Sequence, residues 1–196
     1  MSNFGGLTVI SGPSGGGKTT VIREILKIHP EYEYSVSTTT RPPREYEVNG
    51  IDYHFITRNA FEELIKRDMF IEFAEVHGEY YGTERTMIEK DIALGKQILL
   101  DIDVIGGETI RNNFKESTLV FLSPPSEEDL EHRLINRGTD SDKQIIKRLS
   151  RYPMERERGK NYQFRITNLD LEATVKAVIE IIETGELKEN AHLSVV

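Results

Sequence analysis

The chain is expected to be an α/β protein with a parallel sheet flanked by helices, and three observations predict it. Short apolar runs alternate with helical patterns along most of the length, the first run enters a glycine-rich loop, and that loop opens a helix. Strands separated by helices imply right-handed crossovers, with helices on both faces of a parallel sheet. At 196 residues, 37% hydrophobic and 30% charged, one domain carrying small insertions can bury a substantial core.

The first three elements belong together. Leu7, Thr8, Val9 and Ile10 form a short apolar run that reads as a buried strand. Residues 18–29 read as a helix with Val21, Ile22, Ile25 and Leu26 on one face. Between them, residues 12–19 fit G-x-x-x-x-G-K-[ST], with Gly12, Gly17, Lys18 and Thr19 in the fixed places. Glycines let consecutive backbone N–H groups turn inward around a phosphate, and the helix N-terminus adds its positive dipole end. The expected nucleotide-binding residues are therefore Gly12, Pro13, Ser14, Gly15, Gly16, Gly17, Lys18, Thr19 and Thr20. Lys18 would reach the β- and γ-phosphates, and the Thr19 hydroxyl would ligate Mg²⁺.

The remaining elements follow in order. Residues 32–40 are strand-like and end at the prolines of Arg41-Pro42-Pro43-Arg44, which prevent a helix. Residues 52–56 form a short strand. Asn59 to Glu62 has a capping-box arrangement that should open a helix to about Asp68. Residues 71–76 alternate as a strand, 78–82 read as a loop, and 84–94 as a helix stopped by Gly95. Residues 97–103 form a buried strand ending in Asp101 and Asp103; residues 118–122 form another. Ser126 opens a helix to about Arg137, residues 138–142 break it, and a charged helix covers roughly 143–158. A strand at 164–167 and a helix at 171–183 complete the pattern. Core segments are expected at about 5–33, 97–126 and 159–185. An insertion spans about 34–96, with a helical segment at about 127–158.

Composition narrows the function classes. No cysteine is present, which excludes disulfides, thiolate catalysis and cysteine zinc sites. No apolar run reaches membrane length, and residues 1–6 lack the features of a signal peptide, so a cytoplasmic protein is expected. A net charge of −8 argues against a nucleic-acid surface, though converging arginines can still create a positive cleft. Asp101 or Asp103 at the strand end would face the phosphate loop and hold a magnesium-bound water or a ligand donor. The plain alternative is a helix cap. His29, His54, Tyr32 and Tyr34 read as structural.

A more specific pattern runs through the chain. Ser11-Gly12-Pro13-Ser14-Gly15, residues 35–44 (SVSTTTRPPR), 47–53 (EVNGIDY), 71–74 (IEFA), 80–83 (YYGT) and 100–103 (LDID) occur in the order of guanylate kinases. Arg133-Leu134, Arg137-Gly138-Thr139 and Lys147-Arg148-Leu149 continue it. Over roughly residues 5–184 the chain resembles the guanylate kinase family. The resemblance implies a P-loop nucleoside monophosphate kinase fold with an inserted nucleotide-binding subdomain at 34–96 and a helical lid at 127–158. It also implies Mg²⁺-dependent transfer of the ATP γ-phosphoryl group to GMP or dGMP by a monomer or homodimer.

On that resemblance, Ser37, Arg41, Arg44, Tyr53 and Tyr81 hold the acceptor phosphate. Glu72, Thr83 and Asp103 read the base, and Asp101 joins the substrate-binding set. Lys18, Arg41, Arg133, Arg137 and Arg148 serve catalysis. The chemistry is coherent: a phosphate acceptor with a second pKa of about 6 needs no general base, only charge neutralisation and alignment. Ionised carboxylates accept hydrogen bonds, and guanine offers N1–H and N2–H donors. The sequence departs from the family at Glu45-Tyr46 (customarily Pro-Gly), at Ile105 (customarily Gln), at Pro153 and in the polar stretch 161–170. Those departures bear on lid closure. The rival expectations are a divergent paralogue that is a weak kinase, a non-catalytic phospholigand-binding module, or a phosphoryl transferase for another acceptor.

Overall fold

A computed structural model describes residues 6–138 and 140–187. Residues 1–5 of the expected leaderless terminus and Thr139 of the Arg137-Gly138-Thr139 motif lie outside the described residues. Five parallel strands form the main sheet: β1 (Leu7–Ser11), β2 (Glu33–Ser35), β7 (Ile98–Asp101), β8 (Thr118–Ser123) and β9 (Phe164–Thr167). Their order is β2-β7-β1-β8-β9, which puts β1 and its phosphate loop at the centre. Val9 lies opposite Leu100 on one side and Leu119 on the other.

Buried strands project alternate side chains to opposite faces, and each face builds its own core. Leu7, Val9, Ile98, Leu100, Leu119 and Phe121 pack on one face against α4 (Val104–Asn113). Ile10, Leu99, Val120 and Leu122 pack on the other, against α1 (Lys18–Ile28) and α8 (Leu171–Thr184). Burying each such aliphatic side chain contributes about 1.5–3 kcal/mol. Helix α4 was not foreseen, because Gly106 and Gly107 weaken helix propensity. It forms because Asp103 caps it, Oδ1 accepting from the Gly106 N–H at 2.8 Å.

A second sheet, β4-β3-β6-β5, comprises β3 (Thr38–Thr39), β4 (His54–Phe55), β5 (Phe70–Val76) and β6 (Glu79–Glu84). The single strand expected over 32–40 is divided between two sheets. β2 pairs in parallel with β7, whereas β3 pairs with β4 and β6. The expected loop at 78–82 is strand β6, hairpinned to β5 through His77 and Gly78. Both have positive φ (59° and 91°), as a tight two-residue hairpin turn requires. Helix α2 (Arg58–Lys66) begins two residues before the expected position. Its cap is Thr57, whose Oγ1 accepts from the Ala60 N–H at 3.3 Å.

Helices α3 (Arg85–Ala93), α5 (Glu127–Asn136), α6 (Asp142–Leu149) and α7 (Tyr152–Gly159) complete the architecture. The charged helix expected over 143–158 is two helices, since Pro153 stands in the first turn of α7, where its missing N–H costs nothing. Leu130, Leu134, Ile145 and Tyr152 give α5–α7 a small core of their own. Thr57→Ala should lower unfolding free energy by about 1 kcal/mol, the usual worth of an N-cap. Urea denaturation would check this, and an unchanged midpoint would refute the cap assignment.

Candidate active site

A cleft of about 830 Å³ opens at the carboxyl ends of the main-sheet strands, bounded by the phosphate loop, the second sheet and α5–α7. Its floor is the loop between β1 and α1. Gly17 has φ 96°, and a Cβ there would lie 2.3 Å from Asn168 Nδ2; at Gly12 it would lie 2.1 Å from the Leu122 carbonyl oxygen. Only glycine fits either place. Asn168 props the loop from behind, donating from Nδ2 to the Gly16 carbonyl at 2.9 Å while Oδ1 accepts from Thr174 Oγ1 at 3.1 Å.

Lys18 Nζ donates to the carbonyls of Gly12 (2.8 Å) and Pro13 (3.1 Å) and stands 3.9 Å from Asp101 Oδ1. Thr19 Oγ1 donates to Asp101 Oδ2 at 2.6 Å. The end of β7 thus brings a carboxylate to the first residues of α1. These hard oxygen donors suit a magnesium ion. Pro13 and Gly16 are joined by the Gly16 N–H to Pro13 carbonyl bond of 2.9 Å, while Ser14, Gly15 and Thr20 also line the loop or cleft.

The opposite wall is strongly cationic. Glu47 Oε1 accepts from Arg41 Nη2 at 2.8 Å and from Arg44 Nη1 at 3.1 Å, while its Oε2 accepts from the Arg44 N–H at 2.7 Å. Burial opposes the ionised form of Glu47, but the Arg41 hydrogen bond and the Arg44 amide outweigh it and lower its pKa. Burial likewise opposes the Arg41 charge, yet the Glu47 hydrogen bond and the nearby Tyr81 raise its pKa further. Arg41 also lies over the Tyr53 ring, 5.4 Å from its centroid, and Tyr53 meets Tyr81 edge-on at 6.0 Å. Burial, with Asp101 nearby, raises the Tyr53 pKa, so its phenol stays protonated. Ser37 is buried beside this group and lines the cleft.

Asp140, two residues before α6, bridges two segments. Its Oδ1 lies 3.5 Å from Arg44 Nη2 and 3.2 Å from Arg148 Nη2. Arg148 Nη1 also donates to Ser14 Oγ on the phosphate loop. Burial and the neighbouring cations lower the Arg148 pKa against the pull of Asp140. Two buried atoms here, Asp140 Oδ2 and Arg148 Nε, have no hydrogen-bond partner among the described residues. Arg133 donates to the Asn168 carbonyl at 2.9 Å, and Arg137 donates through Nε and Nη2 to the Tyr46 hydroxyl.

Glu72, on β5, is buried at the inner end of the cleft and lines it. Thr83 Oγ1 donates to its Oε1 at 2.5 Å, and a Cβ on Gly106 would fall 2.4 Å from its Oε2. Burial pushes its pKa up to about 7, with Asp103 adding to the rise and the Thr83 bond only partly opposing it. Asp103 is already engaged at both oxygens: Oδ1 caps α4, and Oδ2 pairs with Arg151. The helix-cap alternative is therefore realised at Asp103, although its side chain also lines the cleft. Every expected site residue except Pro13, Gly16 and Thr83 lines this one cleft. Thr83 reaches it through Glu72. Glu47, Asp140, Asn168 and Arg151 were not anticipated. Glu47 stands three residues after Arg44, a spacing that signals pairing only once a fold is known, whereas Asp140 pairs with Arg44, 96 residues away, and Arg148, eight residues on.

The family model for guanylate kinase matches residues 5–185. The chain belongs to the guanylate kinase family. It is 45% identical to a guanylate kinase of Nostoc sp., over 89% of this chain and 87% of that protein. Identity with a guanylate kinase of Fusobacterium nucleatum is 44%, over 93% and 98%. A solved guanylate kinase from Anaplasma phagocytophilum superposes with a TM-score of 0.80 at 29% identity, covering 99% of this chain and 92% of that one. A gluconokinase from Sinorhizobium meliloti, at 15% identity and a TM-score of 0.51, shares the fold alone.

Glu72 sets a pH dependence of known sign. Its folded pKa of about 7 exceeds the unfolded value near 4.5, so its contribution to stability is complete below pH 4.5 and is lost as pH rises through 7. Glu72→Gln should therefore gain stability relative to the parent chain between pH 5 and pH 8 in thermal melts. Parallel profiles would contradict a raised Glu72 pKa.

Proposed function

We propose that the chain catalyses reversible transfer of the ATP γ-phosphoryl group to GMP or dGMP, giving ADP and the nucleoside diphosphate, with Mg²⁺. The observation that carries this reading is the convergence of Lys18, Arg41, Arg44 and Arg148 around one cleft whose inner end holds the Glu72–Thr83 pair. ATP binds with its phosphates on the loop from Gly12 to Thr20, where Lys18 exchanges the Gly12 and Pro13 carbonyls for phosphate oxygens. Thr19 and Asp101 would hold a magnesium ion, which would supply positive charge against the phosphates.

The acceptor phosphate binds Arg41 and Arg44, with Ser37, Tyr53 and Tyr81 donating hydroxyl bonds. Arginine forks suit a phosphate better than a lysine would, because two parallel N–H bonds fix direction as well as charge. Two anions must then approach each other. Arg133, Arg137 and Arg148 offset their repulsion, and preorganised cations in a water-poor cleft act more strongly than in bulk water. Glu72 accepts from the guanine N1–H and N2–H donors. Adenine lacks these donors and leaves the buried carboxylate with the Thr83 bond but without those from the base, which costs about 1–3 kcal/mol.

The reading rests on ionised Glu72, so acceptor affinity should fall as pH drops below 7 while ATP affinity holds. A coupled ADP-production assay across GMP, dGMP, AMP, UMP and CMP should show turnover with the two guanine nucleotides. Equal rates with AMP would overturn the base assignment. Lys18→Ala should lower kcat by about 10²- to 10³-fold, the scale for removing a group aimed at transition-state charge. Near-normal kcat in that variant would remove Lys18 from the reaction.

A further inference from the structure

Among the cleft arginines, Arg133 and Arg137 are held by neutral oxygens among the described residues, Arg133 by the Asn168 carbonyl at 2.9 Å. Carboxylates pair with Arg41, Arg44 and Arg148, through Glu47 and Asp140. Arg137 instead donates from Nε (3.2 Å) and Nη2 (3.0 Å) to one neutral oxygen, the Tyr46 hydroxyl, 91 residues away in sequence. Two bonds from one edge of a guanidinium to a single acceptor fix the plane of the group and leave Nη1 outside the contact. Tyr46 is 55% exposed, so burial explains little of its presence there. Both residues line the cleft.

We propose that Tyr46 is a positioning residue for phosphoryl transfer, orienting Arg137 toward the cleft without neutralising its charge. The proposal rests on the kinase reading above. A carboxylate in this place would hold the guanidinium as firmly but cancel part of the field that opposes phosphate repulsion. A phenol supplies direction and leaves the full positive charge available. It also ties the segment between β3 and β4 to the C-terminal end of α5, beside the Arg44–Asp140 ion pair that joins the same loop to the segment before α6. Arg137 caps the C-terminal end of α5, its N–H donating to the Arg133 carbonyl, so the Tyr46 hydroxyl holds a side chain whose backbone is already fixed by that helix.

Tyr46→Phe removes the hydroxyl alone and tests this. The expected result is a kcat about tenfold lower, the scale of one hydrogen bond to a charged group, with KM for GMP and for ATP within about twofold. In an Arg137→Ala background the same change should have no further effect. The Arg137 Nε–H, identified in ¹⁵N spectra by its loss in Arg137→Lys, should exchange with solvent faster in Tyr46→Phe. Equal effects of Tyr46→Phe with and without Arg137, or an unaltered Nε–H exchange rate, would overturn the proposal. The exchange measurement needs no substrate, so a parent chain inactive on GMP would refute the kinase reading while leaving the Tyr46–Arg137 contact separately tested.

Discussion

The arrangement of the cleft depends on the repulsion among cations brought to one place. At an effective dielectric near 20, two unit charges about 5 Å apart repel by about 3 kcal/mol. Arg41, Arg44 and Arg148 share one wall, and the fold holds them there by giving each a carboxylate. Glu47 holds the first pair at 2.8 and 3.1 Å, and Asp140 reaches Arg44 and Arg148 together. The same logic operates on the floor, where Asp101 stands beside Lys18 and Thr19.

These carboxylates also connect parts of the chain that share little hydrophobic contact. Asp140 links the segment before α6 to the loop after β3, and Arg148 links α6 to the phosphate loop. Lys147 adds a bond of 2.6 Å to the His77 carbonyl at the β5–β6 hairpin tip. Burial lowers the His77 pKa to about 4, and the Arg148, Arg151 and Lys147 charges reinforce the shift, so its ring adds no cation to the wall. Polar contacts of this kind can be exchanged for bonds to phosphate at small net cost, whereas an apolar interface could not.

Much of this was legible in the sequence. The phosphate loop and the core strands were readable, because short continuous apolar runs and a fixed glycine spacing are local signals. What stayed hidden was tertiary. Helix α4 carries two glycines and exists because Asp103 caps it and Tyr162 packs beside it, within hydrogen-bond reach of the Val104 carbonyl. Residues 32–40 look like one strand, yet their division between two sheets is decided by which neighbours offer free edges. Glu47 and Asp140 look like solvated charges until the fold places arginines against them. Asp103 shows the limit most clearly: a strand-end aspartate suggested both a ligand donor and a cap, and in the folded chain its oxygens go to Gly106 and Arg151.

The central claim is that Glu47 and Asp140 hold arginines that bind phosphate during turnover. A crystal structure of the chain with GMP and a non-hydrolysable ATP analogue tests it most directly. The account predicts phosphate oxygens within hydrogen-bond distance of Arg41, Arg44 and Arg148, with the Asp140 bridge between Arg44 and Arg148 opened. Phosphates bound elsewhere, with both carboxylates still paired to these arginines, would contradict it.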